Sequence, residues 1–319
     1  MYAIVVENLT KKFGELVAVN NVSFKVKSGE IFSFLGPNGA GKTTTIHILV
    51  TLLKPTSGSA FVAGHDVLKE AKEVRKKIGI VFQEPSLDVN LTAYENLYIH
   101  GGIYGYSSSE LKNKIDELLR FVELENFRNK VVKTFSGGMA RRLEVAKSLI
   151  HEPEILFLDE PTIGLDPQTR VRVWEYIERL REEKDITIFL TTHYMDEAEQ
   201  LSDRIAIIDN GKLIAYDTPE NLKSMLGEDI IYIKAENPEC FDEDFTKNCK
   251  ILEDGRIEIN VDNASTAIPK IFEIAQKKGI KINDITYHKP TLNDVFIHLT
   301  GKDLRDKENS EPKMRRRFA

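Results

Sequence analysis

At 319 residues the chain exceeds the roughly 100 to 200 residues usual for one domain, which predicts one large domain with a smaller appendage. Hydrophobic residues make up 41% and charged residues 29%, a balance that excludes disordered and collagen-like chains. The formal net charge of −6 provides no basic face for a nucleic-acid backbone, so nucleic acid is not an expected partner.

Met1 to Glu7 has neither a basic stretch nor a long apolar one, so it does not read as a secretory signal. From Ala3 to about Gly227, β-rich runs alternate with amphipathic helical stretches, the pattern of an α/β domain with a mostly parallel sheet. Ile31 to Leu35 is its first clear strand. Directly after it, Gly36, Pro37, Asn38, Gly39, Ala40, Gly41, Lys42, Thr43 and Thr44 contain the spacing G-x-x-x-x-G-K-[ST] and lead into an apolar helical run. Strand, glycine-rich turn and helix in that order define a P-loop. Its backbone N–H groups cradle phosphates at a helix N-terminus, Lys42 reaches the β- and γ-phosphates, and Thr43 offers a hydroxyl to Mg²⁺. The apolar run Ile48 to Leu53, like every other, is far shorter than the roughly 20 residues that span a bilayer, so any membrane role requires a partner.

Ile78 to Phe82 reads as another strand and leaves Gln83 on the loop behind it. From about 85 to 133 the chain is mainly helical. Thr92-x-x-Glu95 and Ser107-x-x-Glu110 are capping boxes, the second opening a helix with Leu111, Ile115, Leu118, Leu119 and Val122 at helical spacing. Ser136, Gly137 and Gly138 begin a further helix with apolar Met139, Leu143, Ala146 and Leu149, a second helix N-terminus suited to an anion. Ile155 to Leu158 is an apolar strand ending in Asp159 and Glu160. Successive strand side chains point to opposite faces, so the two acids divide the work: Asp159 suits Mg²⁺ and Glu160 the attacking water. Ile186 to Leu190 is a strand followed by Thr191, Thr192 and His193, and Ile205 to Ile208 is the next.

After Gly227 the pattern becomes a small α+β unit, with strands at Ile230 to Lys234, Arg256 to Val261 and Ile280 to Tyr287, and helices at Thr266 to Lys278 and Thr291 to Thr300. The acidic Asp242, Glu243 and Asp244 read as solvated surface. Cys240 and Cys249 match neither redox nor zinc spacing and are too few for a disulfide framework, which suits a reducing cytosol. The charged segment 302–319, with Arg315 to Arg317, reads as a flexible solvated tail. The expected division is therefore 1–226, 227–301 and 302–319.

These motifs, in this order, resemble the ATP-binding cassette (ABC) family over roughly residues 3 to 225. The P-loop, a Q-loop glutamine at Gln83, the Ser136-Gly-Gly signature, Asp159-Glu160, Gly164-Leu-Asp166 and His193 carry the likeness. The resemblance implies ATP and Mg²⁺ as ligands, with Gln83 touching Mg²⁺ and water, Phe13 stacking on adenine and His193 sensing the γ-phosphate. It also implies a head-to-tail dimer, of two copies or with a related ATPase subunit, in which Ser136, Gly137 and Gly138 of one chain close on the nucleotide of the other. The energised partner would be a separate membrane-spanning subunit, contacted by the Gln83 loop and the helices near Thr92 to Tyr106. That places the chain in the cytoplasm, peripheral at the inner face of the membrane.

The commonest signature, Leu-Ser-Gly-Gly-Gln, is altered here at Phe135 and Met139. Ser-Gly-Gly-Met followed by Arg141-Arg-Leu, and the ending Pro290 to Thr300, are similar to the daunorubicin-resistance-type branch, which implies an exporter. A non-transport ABC ATPase, acting as a mechanical or regulatory switch, would share the nucleotide motifs. Its DNA-maintenance form carries hundreds of coiled-coil residues between P-loop and signature, and no sustained heptads occur here.

Overall fold

The computed structural model describes residues 1–227, 229–236, 249–252 and 255–300. The tail from 302 to 319, the acidic Asp242 to Asp244 and Cys240 lie outside the described residues. The chain forms two units, one of Met1–Tyr216 and a second that begins at Asp217.

The first unit opens with β1 (Tyr2–Phe13) and β2 (Leu16–Lys27), an antiparallel hairpin. There follow β3 (Ile31–Leu35), α1 (Lys42–Leu49), β4 (Ser57–Val62), β5 (His65–Asp66), α2 (Ala71–Lys77) and β6 (Ile78–Val81). Next come α3 (Ala93–Gly102), α4 (Ser108–Phe121), α5 (Gly137–Leu149), β7 (Ile155–Asp159), α6 (Pro167–Lys184), β8 (Thr187–Thr192), α7 (Met195–Leu201), β9 (Arg204–Asp209) and β10 (Lys212–Asp217). The central sheet has the order β10-β9-β3-β8-β7-β6, with parallel pairing from β9 through to β6.

Every residue of β3, β7 and β8 is buried, as expected of parallel strands covered on both faces. Phe32, Phe34, Phe157 and Phe189 point to one face, where they meet Phe24 of β2; the Phe24 and Phe32 rings stack at 5.4 Å. Burying each of these rings stabilises the fold by about 1.5–3 kcal/mol. The layer supplying Phe24 is a separate antiparallel sheet, β2-β1-β4-β5. It is an addition to the expected α/β alternation, and its sign in the sequence is the two-residue spacing of the buried Val22, Phe24 and Val26. On the opposite face, Ile31, Leu156, Leu158, Ile188 and Leu190 pack with the helical region, including Leu97, Ile115, Leu143 and Ile177. Both capping boxes are formed, Thr92 with Glu95 and Ser107 with Glu110.

The second unit contains α8 (Pro219–Ser224), β11 (Asp229–Ala235), β12 (Cys249–Ile251), β13 (Ile257–Val261), α9 (Ala264–Lys278), β14 (Ile282–His288) and α10 (Leu292–Thr300). Its antiparallel sheet runs β12-β13-β11-β14, and α8, upstream of the expected 226/227 division, packs beside α10. Ile231, Ile233, Ile257 and Ile259 form a core with Ala267, Ile271 and Ala275 of α9. Among the described residues no helix is long and apolar enough to cross a membrane.

Candidate active site

The loop from β3 into α1 is shaped by close backbone passage. A Cβ at Gly36 would lie 2.2 Å from the carbonyl oxygen of Ile208 in β9, so only glycine fits there. Gly41, at φ 105°, caps α1 in the left-handed region that favours glycine. A Cβ there would stand 2.3 Å from the Ala18 carbonyl oxygen, which brings the β1–β2 hairpin against the loop.

Lys42 opens α1 and is 4% exposed. Its ammonium donates to the carbonyl oxygens of Gly36 (2.8 Å) and Pro37 (3.1 Å) and lies 3.1 Å from Glu160 Oε1. Burial pulls its pKa down, against the pull of Glu160 and Asp159. Glu160 Oε2 is 3.2 Å from His193 Nδ1, so one carboxylate spans the P-loop lysine and the histidine after β8. Burial raises the Glu160 carboxyl, yet His193 and Lys42 outweigh it and hold the group below its ordinary range. Asp159, one residue earlier, faces Thr43, whose Oγ1 is 3.4 Å from Asp159 Oδ1; the same oxygen accepts from Thr191 Oγ1 at 2.5 Å. The Glu160 amide donates to the carbonyl and hydroxyl of Thr191, both at 3.1 Å.

Lys42, Thr43, Asp159, Glu160 and His193 are thus brought together at the C-terminal ends of β3, β7 and β8. Two hard oxygen donors, the Thr43 hydroxyl and the Asp159 carboxylate, face one another at the start of α1, a donor set that fits Mg²⁺. Gln83 is exposed on the loop after β6, and among the described residues it makes no hydrogen bond to the acid pair. Ser136 caps α5 by accepting from the Met139 amide at 3.3 Å; within the chain no described contact joins it to Lys42 or Glu160. Phe13 stands at the tip of the β1–β2 hairpin, 46% exposed, with the Lys11 ammonium 4.9 Å from its ring centroid.

Thr191, which fixes both acids, and Arg141, which reaches the backbone beside them, are not among the residues expected at the site. Only the strand–Thr–Thr–His order hints at the first, and nothing local points to the second. A cavity of about 790 Å³ lies elsewhere, lined by Tyr2, Gly29, Lys114, Glu117 and Glu152 and by none of the site residues.

A P-loop against an acid pair and a histidine on a mostly parallel sheet defines an ABC ATPase domain. Residues 19–163 match the ABC transporter family. One solved structure similar to the chain is a dimeric ATP-binding cassette in a post-hydrolysis state with ADP and Pi. It has a TM-score of 0.61 and 32% identity, and the match covers 67% of this chain and 98% of that one. Domains of this class bind ATP and hydrolyse it, and ABC ATP-binding subunits typically pair with a membrane subunit. More narrowly, residues 218–300 match the C-terminal domain of DrrA1-3-like ATP-binding proteins. Over 311 residues the chain is 39% identical to Daunorubicin resistance ATP-binding protein DrrA3 of Streptomyces coeruleorubidus, covering 96% of this chain and 98% of that protein. It is 38% identical to Nod factor export ATP-binding protein I of Cupriavidus metallidurans, covering 94% and 97%. The chain therefore belongs to the DrrA-like ATP-binding subunits of ABC transporters, and it is an ATPase subunit of the exporter type.

Proposed function

We propose that Glu160 activates the water that attacks the γ-phosphate, with Lys42, Thr43, Asp159 and His193 arranged around it. The observation that carries this reading is the position of the Glu160 carboxylate between Lys42 Nζ and His193 Nδ1, at 3.1 and 3.2 Å. A γ-phosphate competes with Glu160 for the Lys42 ammonium. As Lys42 turns to phosphate, Glu160 is left ionised, oriented by His193 and able to take a proton from water. Thr43 and Asp159 would hold Mg²⁺, with Gln83 approaching from its loop, and the ion neutralises phosphate charge when bound. The backbone of Gly36 to Thr44 cradles the phosphates and Phe13 stacks on adenine.

Two such chains, or this one and a related ATPase subunit, sandwich two nucleotides, each chain presenting Ser136, Gly137 and Gly138 to the other's P-loop. ATP binding closes the dimer and hydrolysis releases it. A separate membrane-spanning subunit receives that motion at the cytoplasmic face of the membrane. Exposed Tyr98, Ile99, Ile103 and Tyr104, on α3 and the turn after it, are suited to it, since large apolar side chains clustered at a surface favour a protein partner.

The test compares Glu160→Gln with Lys42→Ala by equilibrium ATP binding and phosphate release. Glu160→Gln is expected to bind ATP while losing about 10²- to 10⁴-fold in rate, the usual cost of removing a general base. Lys42→Ala is expected to fail at binding. Wild-type turnover in Glu160→Gln would overturn the assignment.

A further inference from the structure

Arg141 lies on α5, five positions after Ser136, and is only 8% exposed. Its guanidinium donates from Nε to the Pro161 carbonyl oxygen (2.9 Å), from Nη2 to that of Asp159 (3.1 Å) and from Nη1 to that of Phe82 (2.6 Å). Nη1 also meets Glu144 Oε2 at 2.9 Å, and the other oxygen of Glu144 accepts from the Ser86 amide at 2.7 Å. The carbonyls of Asp159 and Pro161 flank Glu160. The Phe82 carbonyl belongs to the peptide that leads into Gln83.

Glu160 itself has φ 48°, a left-handed conformation that a residue with a side chain keeps only when its surroundings enforce it. The Thr191 bonds hold its amide. Arg141 holds the carbonyls on either side, with a planar fork whose donor spacing is fixed. We infer that Arg141 is a positioning residue for ATP hydrolysis: it clamps the backbone around Glu160 in its left-handed conformation and ties it to the loop that carries Gln83. Because Arg141 rides on the helix that begins at the Ser136 signature, signature helix, glutamine loop and acid pair form one linked body. This role rests on the reading of Glu160 as the water-activating group.

Arg141→Lys in the full chain is the main test. The ammonium keeps the charge opposite Glu144 but, as a point donor, cannot serve three carbonyls at the fork's spacing. The expected result is a fall in kcat of about tenfold or more with KM for ATP and nucleotide affinity within about threefold, because Lys42 and the phosphate loop are untouched. Hydrogen exchange is expected to rise together in peptides covering 83–87 and 160–164, while β1 and α9 keep wild-type protection. The double variant Arg141→Met/Glu144→Gln, which removes both buried charges at once, carries the same expectation should the lysine variant fail to fold. Wild-type kcat and exchange in a folded variant would overturn the inference. So would a loss of activity that follows a global loss of protection, since that is the signature of a merely structural ion pair. If Glu160→Gln hydrolyses ATP at the wild-type rate, the reading of Glu160 fails, and the exchange data alone decide whether Arg141 clamps the two segments.

Discussion

Glu197, beside this site, is a residue at which burial outweighs the hydrogen-bond donors and the Arg170 charge that favour the ionised carboxylate. It is wholly buried on α7, and its Oε1 accepts from Thr162 Oγ1 (2.7 Å) and Trp174 Nε1 (3.0 Å). Burial raises its pKa despite these donors. The folded state therefore binds the Glu197 proton more tightly than the unfolded chain does. Its contribution to stability is full below the ordinary value of 4.5 and declines as pH rises through the higher folded value. Glu197→Gln keeps an oxygen for Thr162 and Trp174 but carries no charge. Its stability relative to wild type is expected to grow as pH rises above 4.5, as urea unfolding at a series of pH values would measure. Parallel stability curves for the two proteins would refute the assignment.

Among elements, α4 depends most visibly on its local sequence. Ser107 and Glu110 exchange hydrogen bonds at its start, and Leu111, Ile115, Leu118 and Leu119 form its buried stripe. Ser107→Ala removes the acceptor for the Glu110 amide and is expected to cost about 1 kcal/mol in denaturant unfolding. ATP affinity should not change, because α4 carries none of the residues that meet at Glu160. A fall in affinity without a fall in stability would show that α4 acts on the site directly. The P-loop is the contrasting case. Its helix begins at a glycine whose clearance is set by β2, so its geometry comes from packing against another element.

Each of the two units has a core of its own. The first is built on both faces of the central sheet, and the second on Ile231, Ile233, Ile257 and Ile259 with α9. The chemistry assembles within the first. A chain ending at Tyr216 is accordingly expected to fold and to hydrolyse ATP within about threefold of the full chain at high protein concentration, a difference under about 1 kcal/mol in barrier. Phosphate release at saturating ATP measures it, and a folded chain that binds but cannot hydrolyse would show that the second unit completes the site. The nucleotide motifs, the capping boxes and the buried strands are legible in the chain alone, because each depends on a spacing of a few residues that local backbone geometry turns directly into structure. Alternation within β7, by contrast, reaches only to Asp159. Glu160 lies just past the strand at φ 48°, so the different directions of the two acids come from a left-handed turn that the surrounding fold enforces. Long-range packing also determines that Thr191 fixes both acids, that the hairpin carrying Phe13 lies against Gly41, and that Arg141 reaches three carbonyls on two loops. The Gly36 amide likewise donates to the Thr192 carbonyl at 3.2 Å, from the opposite end of the domain's sequence, and no local period records such a bond. The physical origin of these contacts is the parallel sheet, which gathers the C-terminal ends of strands distant in sequence onto one edge and leaves side chains there to find partners that only the fold supplies.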